Sequence, residues 1–270
     1  ALALIPGAQA AGGNVKLNGT TLSQQEAWIE HGTSYITLAA FARETGRTLS
    51  WDGKQAILEG NGLELTAAPG AIYILSNDRG LYVAEGVRVV DGRTVFSLRL
   101  LSQVTGGKLS WDAASGTAHL DTRGTVPAQA DYDEEDLYWM SRIISQPDYN
   151  REDKLYWLSR IISAESRGEP LLGQIAVGNV VLNRVADKQF PNTVKEVIFD
   201  DKYAIQFEPV ENGTVYDEPT DSAVLAAKIS LEGADVIGSA LYFYAPALSP
   251  VNWINQNRPF YMTIGCHDFH

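Results

Sequence analysis

The first half of the chain contains an internal repeat with a period of 60 residues. The stretch TLAAFARETGRTLSWD at 37–52 aligns without gaps on SLRLLSQVTGGKLSWD at 97–112. In both copies a glycine follows a short apolar helical pattern, as is typical of a helix that ends in a left-handed cap. A unit this small cannot bury its own apolar face, so the two copies should pack together.

Each copy also predicts the same order of elements. Short apolar strands at Tyr35-Ile36 and Val95-Phe96 precede the two helices. After each helix a strand carries Trp-Asp into a turn, and the chain returns as KQAILEG or GTAHLDT. We therefore predict an α+β domain over residues 14–123, built from the 60-residue repeat.

This repeated pattern resembles the N-terminal domain named after copper amine oxidases. The resemblance covers about residues 14–123 and implies a non-catalytic domain without bound copper. His31 and His119 are isolated in the sequence and form no ligand cluster. We expect no metal and no other cofactor.

Charge is unevenly distributed along the chain. Residues 1–124 hold 10 Lys+Arg and 11 Asp+Glu, whereas residues 125–270 hold 11 and 22, which together give the net charge of −12. Phosphates would repel the acidic second half, so nucleic acid is excluded as a partner. No stretch approaches the roughly 20 apolar residues of a membrane span, so none is predicted.

The two ends of the first domain are flanked by segments of different composition. Residues 1–13 end in small residues that include Ala8-Gln9-Ala10, the pattern of a secretory cleavage site. We interpret them as a signal-peptide remnant or a disordered segment, and we expect a secreted or extracytoplasmic protein. Residues 124–136 carry five acids within 131–136 and are interpreted as a linker.

A nine-residue sequence occurs twice after this linker. LYWMSRIIS at 137–145 recurs as LYWLSRIIS at 155–163, and Pro147 forbids one continuous helix through both. We assign residues 124–153 to an acidic linker and duplicated helix arm. Two equivalent helices competing for one groove suggest a possible homodimer that exchanges this arm.

The remaining residues, 154–270, predict a mainly helical domain with a small β element at its end. Helical patterns begin near 154, 170, 191 and 219, and aromatic extended pieces follow from 239 onward. We expect Asn183 and Arg184 to tie the buried second helix to neighbouring loops.

Glu165 is the candidate catalytic acid. It follows Ile162 by three residues and Ile161 by four, so a helix would aim its carboxyl to the apolar side. Desolvation raises a glutamate pKa from about 4.3 toward about 6, which makes a proton donor near neutral pH. The matching position of the first copy is Pro147, so only the second copy can carry acid chemistry. The alternative is a surface or capping glutamate.

Five motifs in this segment resemble the spore cortex-lytic and cell wall hydrolase family. They are LSRIISAESRGEPLLGQIAVGNVVLNRV, FPNTVKEVIF, QFEPVENGT, ALYFYAP and IGCHDF. The resemblance covers about residues 154–270 and implies a lysozyme-like fold that acts on peptidoglycan glycan strands at the cell wall or spore. It identifies Glu165 with the family's catalytic glutamate. Ser166 and Ala245 depart from the residues that the family often has.

A single acid suffices for a lytic transglycosylase that cleaves between N-acetylmuramic acid and N-acetylglucosamine. The residues that we expect to bind the glycan are Gln206, Phe207, Tyr242, Tyr244, Trp253 and His267. One alternative is a hydrolytic muramidase with a second carboxylate such as Glu169 or Glu211. Another is a non-catalytic protein that binds the cell wall.

The C-terminal sequence CHDFH contains atoms that could bind a metal. Its spacings on an extended strand point the side chains apart, so we expect no zinc site there. The family resemblance favours His267 in or near the cleft and Cys266 in a buried position.

Overall fold

The computed structural model describes residues 14–127, 154–202, 205–250 and 252–270. These residues fall into two units, 14–127 and 154–270, each with its own core. The predicted signal-peptide remnant at 1–13 lies outside the described residues. So does the predicted helix arm, with its possible dimer exchange, apart from residues 124–127.

The first unit is rich in β-structure. Its helices are α1 (Leu38–Thr45) and α2 (Leu98–Thr105). Its strands are β1 (Asn14–Leu17), β2 (Thr20–Thr21), β3 (Ala27–Glu30), β4 (Thr33–Thr37), β5 (Thr48–Trp51), β6 (Ala56–Gly60), β7 (Leu63–Ala67), β8 (Tyr73–Ser76), β9 (Arg79–Tyr82), β10 (Arg88–Val90), β11 (Arg93–Ser97), β12 (Lys108–Asp112) and β13 (Thr117–Asp121).

Helices α1 and α2 begin and end in the same way. The side chains of Thr37 and Ser97 each accept a hydrogen bond from a backbone N–H of the first turn. Gly46 and Gly106 end the helices with φ of 65° and 64°, a conformation that costs glycine little. The sequence therefore specifies both helix boundaries locally.

Three sheets surround the core of the first unit. Their strand orders are β12-β13-β1-β2, β10-β11-β4-β3 and β5-β6-β7-β8-β9. Strands β4 and β11 pair antiparallel, with Phe96 opposite Ile36, so the strands that lead into α1 and α2 are neighbours in one sheet. Phe41, Leu98 and Leu101 are buried against them.

The second unit is mainly helical. Its helices are α3 (Lys154–Ser166), α4 (Leu171–Ala186), α5 (Val194–Ile198), α6 (Glu208–Asn212), α7 (Asp221–Leu231) and α8 (Trp253–Asn257), with a 3₁₀ turn at Thr214–Tyr216. Three short strands, β14 (Phe243–Tyr244), β15 (Met262–Ile264) and β16 (His267–Phe269), form a sheet in the order β14-β16-β15.

Helix α3 is the centre of the second unit. The sequence predicts one apolar stripe on it, yet ten of its 13 residues are buried, including Arg160 and Ser163. The reason is that α4, α5, α7 and the 3₁₀ turn all pack around it. Among the described residues, no helix combines the length and apolarity needed to cross a bilayer.

Close packing around α3 depends on a glycine in α4. A Cβ atom at Gly178 would stand 2.7 Å from Ser230 Oγ and 2.9 Å from Ile162 Cδ1. We expect Gly178→Ala to destabilise the second unit by about 1–3 kcal/mol, because overpacking forces the three helices apart. Urea unfolding measures the change.

The matched control is Gly168→Ala, since a Cβ there meets nothing within 4 Å. Equal stability of the two alanine variants would contradict this account of the helix packing.

Candidate active site

A groove of about 950 Å³ lies on the second unit. All seven residues that the sequence identified as catalytic or glycan-binding line it: Glu165, Gln206, Phe207, Tyr242, Tyr244, Trp253 and His267. They come from the end of α3, the segment before α6, strand β14 and the residue before it, helix α8 and strand β16. Residues that are up to 102 positions apart in sequence therefore meet at one surface.

Glu165 is the penultimate residue of α3 and is partly buried. Burial, together with the negative charge of Glu208, raises the pKa of its carboxyl to about 7, although the positive charge of Arg184 opposes this. No hydrogen bond from a described residue to this carboxyl replaces the water that burial removes. Glu165 therefore holds a proton in the neutral range and can give it to a ligand in the groove.

Arg184 lies in the same wall and is only 4% exposed. Its Nε donates to Leu241 O at 2.8 Å, and burial lowers the pKa of its guanidinium to about 10, so it stays charged at neutral pH. Asn183 Nδ2 donates to Gly238 O at 2.7 Å and to Ala240 O at 2.9 Å. These bonds confirm the prediction that both residues tie α4 to neighbouring loops.

The aromatic residues of the groove differ in what they can contact. Trp253 is 55% exposed, and Tyr242 and Tyr244 are partly exposed, so their rings can meet the CH faces of a ligand. Phe207 is only 2% exposed and packs near Phe243 and under Arg184. It forms the back of the groove wall and offers little surface for stacking.

His267 is buried, and its Nδ1 has no hydrogen-bond partner in the described part of the chain. Burial lowers the pKa of the ring below its usual 6.5, so the ring is neutral at pH 7. A neutral ring in the groove wall can hydrogen-bond a polar ligand.

The prediction of a buried Cys266 is wrong. Cys266 is exposed because, with Gly265 at φ 60°, it forms the turn of the β15–β16 hairpin. Across the described ranges no three His, Cys, Asp or Glu side chains cluster as a metal ion would require.

The second carboxylates suggested by the sequence do not lie in the groove. Glu169 Oε2 accepts a hydrogen bond of 2.9 Å from Cys266 N, and a Cβ at Gly265 would collide with that oxygen. Glu169 therefore connects the end of α3 to the β15–β16 hairpin. Glu211 is exposed on α6 and is not among the lining residues.

Two other carboxylates line the groove, Glu208 and Asp200. Glu208 opens α6, directly after Gln206 and Phe207 in the QFEPVENGT motif. The motif could have indicated Glu208 as a groove residue. An acid beside Pro209 is also common in the first turn of a helix, so the sequence did not distinguish the two roles. Arg258 is a further groove residue that no sequence signal identified.

Comparison with known families assigns both units. Residues 16–120 match the Copper amine oxidase N-terminal domain, and residues 168–270 match the Cell Wall Hydrolase family. The chain carries one domain of each family. The cell wall hydrolase match begins three residues after Glu165 and does not include it.

Individual relatives agree with the cell wall hydrolase match. A spore cortex-lytic enzyme from Bacillus cereus is 44% identical over 105 residues, which are 39% of this chain and 39% of that protein. Another, from Oceanobacillus iheyensis, is 33% identical over 167 residues, 61% of this chain and 52% of that protein. The chain thus matches only about two fifths to one half of these relatives' lengths.

A solved structure is also similar, the catalytic domain of the germination-specific lytic transglycosylase SleB from Bacillus anthracis. It is 38% identical, and the match covers 46% of this chain and 98% of that chain with a TM-score of 0.40.

The raised pKa of Glu165 has a consequence for stability. A carboxyl with a folded pKa of about 7 and an ordinary pKa of 4.5 costs nothing below pH 4.5, and its cost grows up to pH 7. We expect Glu165→Gln to stabilise the second unit at pH 8 by about 1–3 kcal/mol, after allowance for partial exposure. The gain should vanish at pH 4, and urea unfolding at both pH values measures it.

The control variant is Glu211→Gln, which removes an exposed carboxylate and should change stability by less than about 0.5 kcal/mol. A Glu165→Gln protein no more stable than wild type at pH 8 would show that the carboxyl is not desolvated.

Proposed function

We propose that the second unit cleaves peptidoglycan glycan strands between N-acetylmuramic acid and N-acetylglucosamine as a lytic transglycosylase. The observation that carries the proposal is Glu165, an acid with a pKa of about 7 in a groove large enough for sugars. The cell wall hydrolase match and the names of the relatives support this substrate. A lysozyme-like arrangement of helices around α3 belongs to the same proposal.

In the proposed reaction Glu165 gives its proton to the glycosidic oxygen as the bond to the muramic acid carbon breaks. The acetamido group of that sugar holds the resulting cation. Glu165, now a carboxylate, then takes the proton of the 6-hydroxyl as its oxygen closes the 1,6-anhydro ring. Protons balance, and no water is consumed. Positioned proton transfer of this kind contributes about 10²–10⁴-fold, and orientation in the groove must supply the rest.

The groove suits an uncharged sugar backbone. Tyr242, Tyr244 and Trp253 offer rings for stacking, and Gln206 and His267 offer polar atoms. Arg184 places a positive charge near Glu165, and this charge stabilises the carboxylate that forms after proton transfer. Glu208 has the opposite effect and keeps the resting acid protonated.

Glu208 also supports a second candidate, a hydrolytic muramidase. It is a carboxylate in the same groove, close enough for its charge to raise the pKa of Glu165. In that reaction it would activate water or attack the sugar, as the second carboxylate of ordinary glycosidases does. The products distinguish the two reactions.

We further propose that the chain acts outside the cytoplasm, where its polymer lies, on spore cortex or vegetative wall. The copper amine oxidase N-terminal domain has no part in the proposed chemistry.

The reaction is tested by digesting purified peptidoglycan with wild type, Glu165→Gln and Glu208→Gln and weighing the soluble products. We expect 1,6-anhydro-muramic ends from wild type, and a loss of at least about 10²-fold in rate for Glu165→Gln, because the proton donor is gone.

Hydrolysis would instead give reducing ends, which are heavier than anhydro ends by one water, about 18 Da. Reducing ends from wild type that are lost in Glu208→Gln would favour the muramidase. Full activity in Glu165→Gln would overturn the site, and no release by wild type would leave only a wall-binding role.

The electrostatics of the groove predict a pH effect. A general acid must be protonated in the free enzyme, so kcat/KM should fall as pH rises through about 7. Because the charge of Glu208 raises the pKa of Glu165, we expect Glu208→Gln to move this descending limb to lower pH. Release of soluble fragments across pH 5–9 measures it, with Glu211→Gln as the unshifted control. A limb that stays in place or moves upward would contradict the assignment.

A further inference from the structure

A second cavity of about 270 Å³ lies beside the groove and shares part of its wall. Gln189, Tyr242 and Arg258 line both spaces, and Phe260 and Tyr261, each more than half exposed, line only the smaller one. Ligand pockets are typically about 300–1,000 Å³, so the smaller cavity suits a short branch rather than a second sugar chain.

Arg258 supplies the shared wall with a positive charge. Its guanidinium lies over the rings of Tyr242 and Trp253, 4.9 Å from each ring centre. One terminal nitrogen donates to Tyr242 Oη at 3.3 Å, and Nε is buried without a hydrogen-bond partner in the described chain. No described carboxylate contacts it, although residues 125–270 hold twice as many acids as bases. The guanidinium is thus held in place by rings and left without an anion.

His270 adds an acceptor to the smaller cavity. It is 8% exposed, and its Nδ1 lies 3.2 Å from the carbonyl oxygen of Arg258, to which it donates. In the neutral tautomer that makes this bond, the proton sits on Nδ1 and Nε2 is an acceptor. That Nε2 is buried and has no hydrogen-bond partner among the described residues. An unsatisfied buried acceptor is costly unless a ligand or water supplies the donor.

We propose that this cavity binds the branch that leaves the glycan strand at muramic acid. A carboxylate of the branch pairs with Arg258, and an N–H or O–H of the branch donates to His270 Nε2. The proposal rests on the proposed function, since it takes the main groove to hold the glycan. A short branch on a glycan strand in the main groove could enter this cavity directly, because the two spaces share a wall. The carboxylate belongs either to a stem peptide or to the lactyl group of muramic acid without a peptide.

Three glycan substrates distinguish these sources. The first carries intact stem peptides. In the second, carbodiimide and methylamine convert the stem carboxylates to neutral amides. The third is stripped of peptides by an amidase that leaves the lactyl carboxylate. Cleavage of each is measured as kcat/KM for wild type, Arg258→Gln and Arg258→Lys, with Arg167→Gln as the control. Arg167 is exposed on the segment after α3 and lines neither space.

We expect Arg258→Gln to lower kcat/KM at least about tenfold on whichever substrate carries the recognised carboxylate, as is typical when a charge-assisted bond is lost. Arg258→Lys should recover part of this loss, because it keeps the charge. If the stem peptide is the source, amidation of its carboxylates should lower wild-type activity to the level of Arg258→Gln on intact stems. If the lactyl group is the source, the loss should appear on stripped strands.

An equal loss on all three substrates, or none on any, would overturn the proposal while leaving the cleavage reaction intact. Failure of the cleavage reaction itself is detected separately, by activity that survives in Glu165→Gln.

Discussion

The proposed chemistry depends on the removal of water from one carboxyl group at the end of a buried helix. Helix α3 is enclosed by α4, α5, α7 and a 3₁₀ turn, so Glu165 near its C-terminal end remains close to the core while its carboxyl reaches the groove. Desolvation is the largest cause of its raised pKa, and the charge of Glu208 is the second. A water-exposed carboxyl at the same position would be ionised at neutral pH and could not donate a proton.

The groove around this acid is held together by polar side chains of α4 that bond to distant loops. Asn179 donates to Ala234 O and accepts from Val236 N, and Asn183 bonds to the carbonyl groups of Gly238 and Ala240. Arg184 continues the series at Leu241 O. The chain therefore enters β14 from a fixed point, and Tyr242 and Tyr244 face the groove from there. Glu169 fixes the β15–β16 hairpin in a similar way through Cys266 N.

Much of this arrangement could be predicted from local sequence. Several elements are specified by the residues next to them and need no long-range contact. They are the caps at Gly46 and Gly106, the helix start after Pro170 and the apolar spacing before Glu165. The order of five separated motifs indicated which residues would line one groove. Pattern alone did not reveal that α3 is buried on nearly all sides, because that depends on how many elements pack around it.

Other features depend on contacts between residues far apart in sequence, and these were missed or wrong. Glu169 was one of two candidates for the second carboxylate of the alternative reaction, but its partner is 97 positions away in a hairpin turn. The same turn exposes Cys266. Arg258 carries no motif, and its place over two rings follows only from the contact that Trp253 of α8 makes with Tyr242, 11 positions earlier in the chain. The local sequence does not determine which distant residue each of these side chains contacts.

The central claim is that Glu165 is protonated in the neutral range. The most direct measurement is an NMR titration of the side-chain carboxyl carbons in ¹³C-glutamate-labelled protein, with Glu165→Gln used to assign the signal. A midpoint near 7 is the result that this account requires. A midpoint near the ordinary value of 4.5 would show a solvated carboxylate and contradict the proposed acid.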